Sequence, residues 1–204
     1  VPTSFKTVSA AVLFMLFSGV RPGEIAKIRR TDIHHPTRSI IFSARTKLNE
    51  LDSLKNGEEF HLVLSDSAYC QVLYAMKHSI SEYVFSGVSQ EKISESSVRD
   101  FLIRVQDKVG KNLPRKIMRA SFISTAERAR IGQYYTKVLS NHDGKGQSVD
   151  VTDGYKTSYL SEVRNAITHV ESDIYTMSNM EKDVVCRGLL ATLAPLDQKA
   201  MTGM

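Results

Sequence analysis

The sequence predicts an α+β domain that is mainly helical and contains one small antiparallel β-sheet. Several stretches repeat apolar residues with the period of an α-helix, and two short β-rich runs are joined by a polar stretch containing Asn56-Gly57. The chain has 204 residues, 42% of them hydrophobic, and two cysteines, a composition that excludes a disordered chain and a disulfide scaffold. We therefore expect one folded domain with a sizeable core.

The first element is a buried helix from Ser4 to Ser18, because apolar residues are dense on nearly all of its sides. The apolar run Val8–Val20 is too short for a membrane span, and no small-residue cleavage site follows it. Gly19 is a natural left-handed terminator of a helix. We expect the true N-terminus of the protein to lie upstream of this helix.

A second helix is expected directly after this turn. Pro22 occupies its first position, and Glu24 lies in its first turn. Ile25 and Ile28 form an inward-facing apolar stripe. This arrangement places Arg21 at the N-terminus of the helix, directly before its first residue.

The two β-rich runs, Arg38–Ala44 and Phe60–Ser65, are expected to form the strands of a hairpin. Lys47 lies where the first strand ends. The remaining chain is expected to be helical, with a polar loop at Asn141–Asp150. The predicted helices cover Asp66–Ile80, Ser94–Val109, Lys116–Arg130, Gln133–Ser140, about Tyr155–Tyr175 and about Asn179–Leu193. The most strongly marked of them is capped by Ser94 or Ser96 and closed by Gly110.

Positive charge is concentrated in one part of the chain. The formal net charge is +5, and the window from Arg99 to Arg130 holds nine basic and three acidic residues. A local excess of this kind attracts polyanions, since clustered cations displace the counterions of phosphates. A solvated helix face would have the same composition. Charge alone leaves both interpretations open.

The sequence predicts no structural metal site. Cys70 and Cys186 belong to no Cys-x-x-Cys or Cys/His cluster, and the histidines, including the adjacent His34 and His35, show no metal-ligand spacing. We expect both cysteines to be reduced thiols of a cytoplasmic protein. No cofactor is expected.

Cleavage of a phosphodiester without a carboxylate cluster for Mg²⁺ needs fixed cations, and guanidinium groups supply them best. Four stretches of the chain offer such groups together with a nucleophile and a proton donor. In order they are SGVRPGEIAKIRRTDI, ARTK, RKIMRASFIST and LSNHDGKGQSVDVTDGYKTSYLSEVRNAI. Together they resemble the catalytic domain of tyrosine recombinases, most of all P4-like phage integrases, and the resemblance covers essentially the whole chain.

The resemblance implies the fold of a tyrosine recombinase/integrase catalytic domain over residues 1–204, with the N-terminal DNA-binding domain absent. It also implies a reaction in which a tyrosine attacks the scissile phosphate and forms a 3′-phosphotyrosine, while the hairpin lysine protonates the departing 5′ oxygen to release a 5′-hydroxyl. The implied catalytic residues are Arg21, Lys47, Lys116, Arg119, His142 and the nucleophile Tyr155, supported by Glu24. Arg45, Arg115 and Arg128 are the implied DNA-binding residues.

The sequence departs from the family pattern at the second arginine. Tyrosine recombinases usually carry His-x-x-Arg there, whereas this chain has Lys116-Ile117-Met118-Arg119. Lysine donates a hydrogen bond to phosphate but is a poor base near neutral pH. A change in pH dependence is therefore expected.

Three other tyrosines compete with Tyr155 as nucleophile. Tyr134 and Tyr135 precede His142 and are expected to pack in the core, and Tyr159 lies one helical turn beyond Tyr155 on an expected inward face. We favour Tyr155.

Each candidate residue also has an ordinary structural interpretation. Arg21 and Lys47 could be solvated surface residues, Arg119 could anchor a phosphate without catalysis, and His142 could be a loop residue without a role. Glu24 could simply favour the N-terminus of its helix.

The expected partner is double-stranded DNA at specific recombination sites, bound by a homotetramer that is a monomer in isolation and has no contact with membranes. Two alternatives stay open: a non-catalytic DNA-binding relic of the same fold, and a type IB topoisomerase-like activity.

Overall fold

The computed structural model describes residues 3–42, 60–87, 89, 91–114, 116–140 and 153–193, with the backbone alone at 3–4, 60, 153–159 and 192. Its helices and strands are α1 (Thr3–Ser18), α2 (Pro22–Ile25), β1 (Ile33–His34), β2 (Ser39–Phe42), β3 (Phe60–Val63), α3 (Asp66–Lys77), α4 (Glu95–Val109), α5 (Ile117–Arg128), α6 (Gln133–Ser140), α7 (Asp153–Ser178) and α8 (Lys182–Cys186). Single 3₁₀ turns lie at Arg30–Asp32 and Leu190–Thr192.

Helix α1 is the centre of the core, as its apolar sequence predicts. It packs against α3, α4, α5 and α7, and Phe14, Met15 and Phe17 are fully or almost fully buried. Gly19 ends the helix with a φ of +67°, the left-handed conformation expected of a terminating glycine. The chain can therefore turn sharply into the segment that carries Arg21.

The sheet has three antiparallel strands in the order β1-β2-β3. Ile40 in β2 is opposite Ile33 on one side and Leu62 on the other, and all three side chains are buried. The predicted pairing of the two β-rich runs is confirmed, and β1 is an additional short strand. The connection that contains Lys47 and Asn56-Gly57 lies outside the described residues.

Helices α3 and α4 begin at the serine caps that their sequences contain. Ser65 Oγ accepts a hydrogen bond from the Ala68 amide at 3.2 Å, and Ser94 Oγ accepts one from the Ser97 amide at 3.1 Å. Gly110 closes α4 with a φ of +66°. The strongest helix prediction of the sequence is therefore confirmed at both ends.

Helix α7 anchors the C-terminal half of the chain to the sheet. Arg164 donates to the carbonyl oxygen of Leu64 at 2.9 Å and also to that of Thr37. Burial lowers the pKa of Arg164 to about 10, with the nearby charge of Arg38 acting in the same direction. The guanidinium therefore satisfies main-chain acceptors between β3 and the turn before β2.

The prediction of one helix over Asn179–Leu193 is wrong. The segment consists of the short helix α8 and a separate 3₁₀ turn. Between α8 and the 3₁₀ turn, Arg187 has a φ of +56° and Gly188 a φ of +70°. An α-helix cannot continue through residues in the left-handed conformation. The sequence signal for this break is Gly188, and an isolated glycine is also tolerated within helical patterns, so it did not predict the break.

Candidate active site

Arg21 is held at the start of α2 by the carboxylate of Glu24. Glu24 Oε2 accepts a hydrogen bond from the Arg21 amide at 3.1 Å, and Glu24 Oε1 pairs with Arg21 Nη1 at 3.0 Å. The Arg21 side chain is 33% exposed, whereas that of Glu24 is 12% exposed. The carboxylate thus fixes a cation that still reaches solvent at the mouth of the helix.

Arg119 joins three segments of the chain. It lies in the first turn of α5, where its guanidinium donates to the carbonyl oxygen of Gly19 and, at 2.6 Å, to that of Ser140. Gly19 ends α1 two residues before Arg21, and Ser140 ends α6 two residues before His142. One side chain therefore fixes the ends of two helices from which candidate residues follow.

Arg21 lies close enough to Arg119 for its charge to shift the pKa of Arg119. Burial lowers the pKa of Arg119, the positive charge of Arg21 lowers it further, and the negative charge of Glu24 opposes this effect. Two guanidinium groups at short range repel each other. An anion that binds both groups relieves this repulsion and is therefore bound favourably. This arrangement could bind an oxyanion such as a phosphate.

The contact between α1 and α5 is tight beside this pair. A Cβ atom placed on Gly19 would overlap Cδ1 of Phe122, a residue that is fully buried one turn after Arg119. Only a residue without a side chain fits there. The close approach of the two helices is what brings Arg119 within reach of the Gly19 carbonyl.

The structure places the other basic candidates of α5 on its surface. Lys116 is exposed at the N-cap position, three residues before Arg119. Arg128 is exposed in the last turn, nine residues after Arg119, which corresponds to about 13 Å along the axis and half a turn around it. Arg128 therefore faces away from the pair formed by Arg21 and Arg119.

The remaining candidates are Arg45, Lys47, Arg115 and His142, which all lie outside the described residues. Tyr155 lies in the first turn of α7, where only the backbone is described, and Tyr159 follows four residues later on the same side of the helix. Neither the choice of nucleophile nor the role of His142 is tested by the fold, and both stay predictions.

The two rival tyrosines of α6 differ from each other. Tyr135 donates a hydrogen bond to Glu162 Oε2 and so connects α6 to α7. Tyr134 is 48% exposed, so the expectation that it packs in the core is wrong. The period of α6 places this residue on the outer face of a short helix, which a run of two adjacent tyrosines does not reveal.

The acceptors of Arg119 were not predicted from the sequence. They are main-chain carbonyl groups, which every residue has, and so no side chain marks them. The sequence did predict that Gly19 ends α1 in the left-handed conformation, but not that its carbonyl group accepts a hydrogen bond from Arg119.

Two findings concern metals and membranes. Across residues 3–42, 60–87 and the later described segments, no three His, Cys, Asp or Glu side chains form a group that could hold a metal ion. None of the helices that the structure describes is both long and apolar enough to cross a membrane.

No protein-family model matches the sequence, and no curated protein matches it. Among solved structures, the fold is similar to the crystal structure of XerA recombinase, with a TM-score of 0.52 and 13% sequence identity. The match covers 88% of this chain, and this chain spans 64% of the length of that one. The chain therefore has a recombinase-like fold, mainly helical with a small antiparallel sheet.

Proposed function

We propose that this chain is the catalytic domain of a tyrosine recombinase, similar to P4-like phage integrases, which cuts and rejoins double-stranded DNA through a 3′-phosphotyrosine. The observation that carries the proposal is the proximity of Arg21 and Arg119, whose positive charges interact although they come from distant parts of the chain. The recombinase-like fold supports the same conclusion.

The proposed reaction uses the pair of arginines to neutralise the two nonbridging oxygens of a phosphodiester. Tyr155 loses its phenolic proton to water as its Oη attacks the phosphorus. The bond to the 5′ oxygen breaks, and Lys47 protonates the departing oxygen to give a 5′-hydroxyl. Fixed cations stabilise the additional charge of the pentavalent transition state without reorganisation. A neutral phenol, with a reference pKa near 10, also needs such a positive field to attack near neutral pH.

The remaining candidates surround this centre in the proposal. Lys116 takes the place of the usual histidine, and His142 contacts the phosphate. Glu24 keeps Arg21 oriented, in agreement with its two hydrogen bonds to that residue. Arg45 and Arg115 contact the DNA backbone beside this centre, whereas Arg128, which faces away from the two arginines, contacts the backbone at a distance from it.

In this proposal, residues 1–204 form a single domain of a longer protein of a mobile genetic element. The other domains of that protein also bind the DNA. Four copies assemble on a recombination site, and the isolated domain is a monomer.

A non-catalytic DNA-binding relic is the second candidate, and one observation favours it. Arg119 makes hydrogen bonds to two main-chain carbonyl oxygens, which is a structural role that persists without any reaction. A guanidinium has five N–H donors, so these two contacts leave donors for a phosphate. The two candidates therefore differ in covalent chemistry rather than in DNA binding.

A covalent-capture experiment separates them. Nicked duplexes with a randomised core release a short 5′-hydroxyl fragment on cleavage, so the protein stays attached to the DNA and is recovered under denaturing conditions. We expect an adduct with the wild-type chain and with Tyr159→Phe, and none with Tyr155→Phe. An adduct that survives Tyr155→Phe but is lost in Tyr159→Phe would identify Tyr159 as the nucleophile and show that the assignment of Tyr155 is wrong. Salt-dependent binding without any adduct would establish the relic instead.

A further inference from the structure

Two cysteines from distant parts of the chain meet inside the protein. Cys70 lies on α3 and Cys186 is the last residue of α8, and both side chains are 0% exposed. Cys186 Sγ donates to Ser67 Oγ at 3.7 Å, and Ser67 precedes Cys70 by three residues, on the same face of α3. The two thiols lie close enough for each to shift the pKa of the other.

The backbone around this thiol pair is held by specific contacts. Gln71, the neighbour of Cys70, donates from Nε2 to the carbonyl oxygen of Val185 at 2.8 Å. On the other side of Cys186, the guanidinium of Arg187 lies 3.8 Å from the centre of the Tyr74 ring, and its Nη2 donates to Ser9 Oγ at 3.1 Å. Residues on both sides of Cys186 are therefore anchored, which holds the end of α8 beside α3.

We propose that Cys70 and Cys186 are a redox-sensitive pair that a peroxide converts to a disulfide, which locks α8 onto α3. The proposal does not depend on the recombinase function.

The environment of the pair distinguishes the two sulfur atoms. The neighbouring Cys70 thiol lowers the pKa of Cys186, and the Ser67 hydroxyl and the charge of Lys182 act in the same direction. Burial and the charge of Glu171 oppose this effect without reversing it. The neighbouring Cys186 thiol and burial raise the pKa of Cys70. Because the thiolate is the reactive form, Cys186 is the nucleophile and Cys70 the resolving thiol.

The reaction then has two steps. The Cys186 thiolate attacks one oxygen of hydrogen peroxide, the O–O bond breaks, and the products are a sulfenic acid and a hydroxide ion that takes up the Cys186 proton to give water. Cys70 Sγ then displaces the hydroxyl group, which leaves as a second water with the Cys70 proton, and the S–S bond forms. The two thiols are oxidised and the peroxide is reduced to two waters.

Burial makes the first step depend on opening of α8. This helix has only five residues, its Val184 is 68% exposed, and the left-handed Arg187 and Gly188 follow it. Short elements with few buried contacts open more readily than the global fold. Oxidation should therefore be slow in the wild type, and weaker anchoring of α8 should accelerate it.

The test uses the full chain treated with hydrogen peroxide and then analysed by intact mass and peptide mapping under non-reducing conditions. We expect the loss of two hydrogen atoms and a cross-linked peptide containing Cys70 and Cys186, both reversed by a thiol reductant. Arg187→Ala, which removes the contacts with Tyr74 and Ser9, should raise the rate several-fold. A wild-type chain that is oxidised at one cysteine without a cross-link would overturn the proposal.

Single cysteine variants give an independent readout that needs no cross-link. In Cys70→Ala, peroxide should leave a sulfenic acid at Cys186 that dimedone traps, whereas in Cys186→Ala the thiol of Cys70 should react at least tenfold more slowly. Circular dichroism before treatment establishes that both variants are folded. Equal labelling of the two variants would contradict the assignment of Cys186 as the nucleophile.

Discussion

The guanidinium of Arg119 donates to the carbonyl oxygen of Ser140 at 2.6 Å, and so connects the start of α5 to the end of α6. The same group donates to the carbonyl oxygen of Gly19 at the end of α1. A residue proposed to bind phosphate is therefore also part of the internal structure. Its substitution should affect stability and DNA binding together.

We expect Arg119→Lys to weaken both properties. A single ammonium group cannot reproduce the planar fork that contacts two carbonyl groups, and a lost hydrogen bond in a half-buried position costs about 1–3 kcal/mol in the free energy of unfolding. Lysine keeps the positive charge but not the planar fork, so DNA affinity should fall while the slope of log affinity against log salt concentration stays nearly unchanged. Urea unfolding and DNA titrations at several salt concentrations measure the two effects.

Arg128→Lys is the control for the stability effect, because Arg128 is exposed at the far end of the same helix. Its free energy of unfolding should stay within about 0.5 kcal/mol of the wild type. Equal destabilisation by the two substitutions would show that the carbonyl contacts of Arg119 contribute nothing specific.

The elements that the sequence predicted well are those with signals in local side-chain chemistry. The apolar surface of α1, the turn at Gly19 and the cap at Ser94 each follow from a few adjacent residues. Strand β1 was missed because two residues, Ile33 and His34, are too short to show alternation.

Long-range features could not be predicted in the same way. The meeting of Cys70 and Cys186 depends on how α8 packs against α3, and the two residues share no local motif. Similarly, Arg21 and Arg119 were paired only through the family resemblance. The break at Arg187 requires a left-handed arginine, a conformation that non-glycine residues adopt rarely and that the sequence does not mark.

Gly19→Ala should destabilise the protein more than Gly110→Ala does. Both glycines have nearly the same left-handed backbone, with φ values of +67° and +66°. A Cβ at Gly19 would clash with the Phe122 ring, whereas a Cβ at Gly110 meets nothing within 4 Å. We expect a loss of about 1 kcal/mol at Gly110 from backbone strain and an additional 1–3 kcal/mol, roughly, at Gly19 from overpacking. Chemical denaturation of the two variants measures the difference, and equal losses would contradict the clash.

Glu171 should be among the most sensitive charged residues for stability. It is buried, its Oε1 accepts from the amide of Ser67 in the first turn of α3 at 2.7 Å, and its Oε2 accepts from Lys182 Nζ at 2.9 Å. Its removal leaves the buried Ser67 amide without an acceptor, whereas Lys182 is 37% exposed and keeps Asp66 as a partner. We therefore expect Glu171→Ala to cost about 1–3 kcal/mol. Thermal and urea unfolding measure the loss.

The exposed pair Arg99–Asp100, with a separation of 3.5 Å, provides the control for Glu171. Asp100→Ala should cost less than about 1 kcal/mol, because solvent screens an exposed ion pair. If Glu171→Ala cost no more than this control, the hydrogen bonds of Glu171 with Ser67 on α3 and Lys182 on α8 would not contribute to stability.

The stability of the folded state should fall as the pH decreases through the range in which His34 titrates. Burial lowers the pKa of His34 below its ordinary value of 6.5, and the neighbouring His35 and His61 lower it further. Between the lowered pKa and 6.5, the unfolded chain binds more protons than the folded one, so the free energy of unfolding decreases with falling pH in this window. His34→Gln should reduce the loss of melting temperature between about pH 7 and pH 5, where histidines normally titrate. His169→Gln, on the exposed side of α7, should leave the loss unchanged, and an equal reduction in both variants would contradict a specific role of His34.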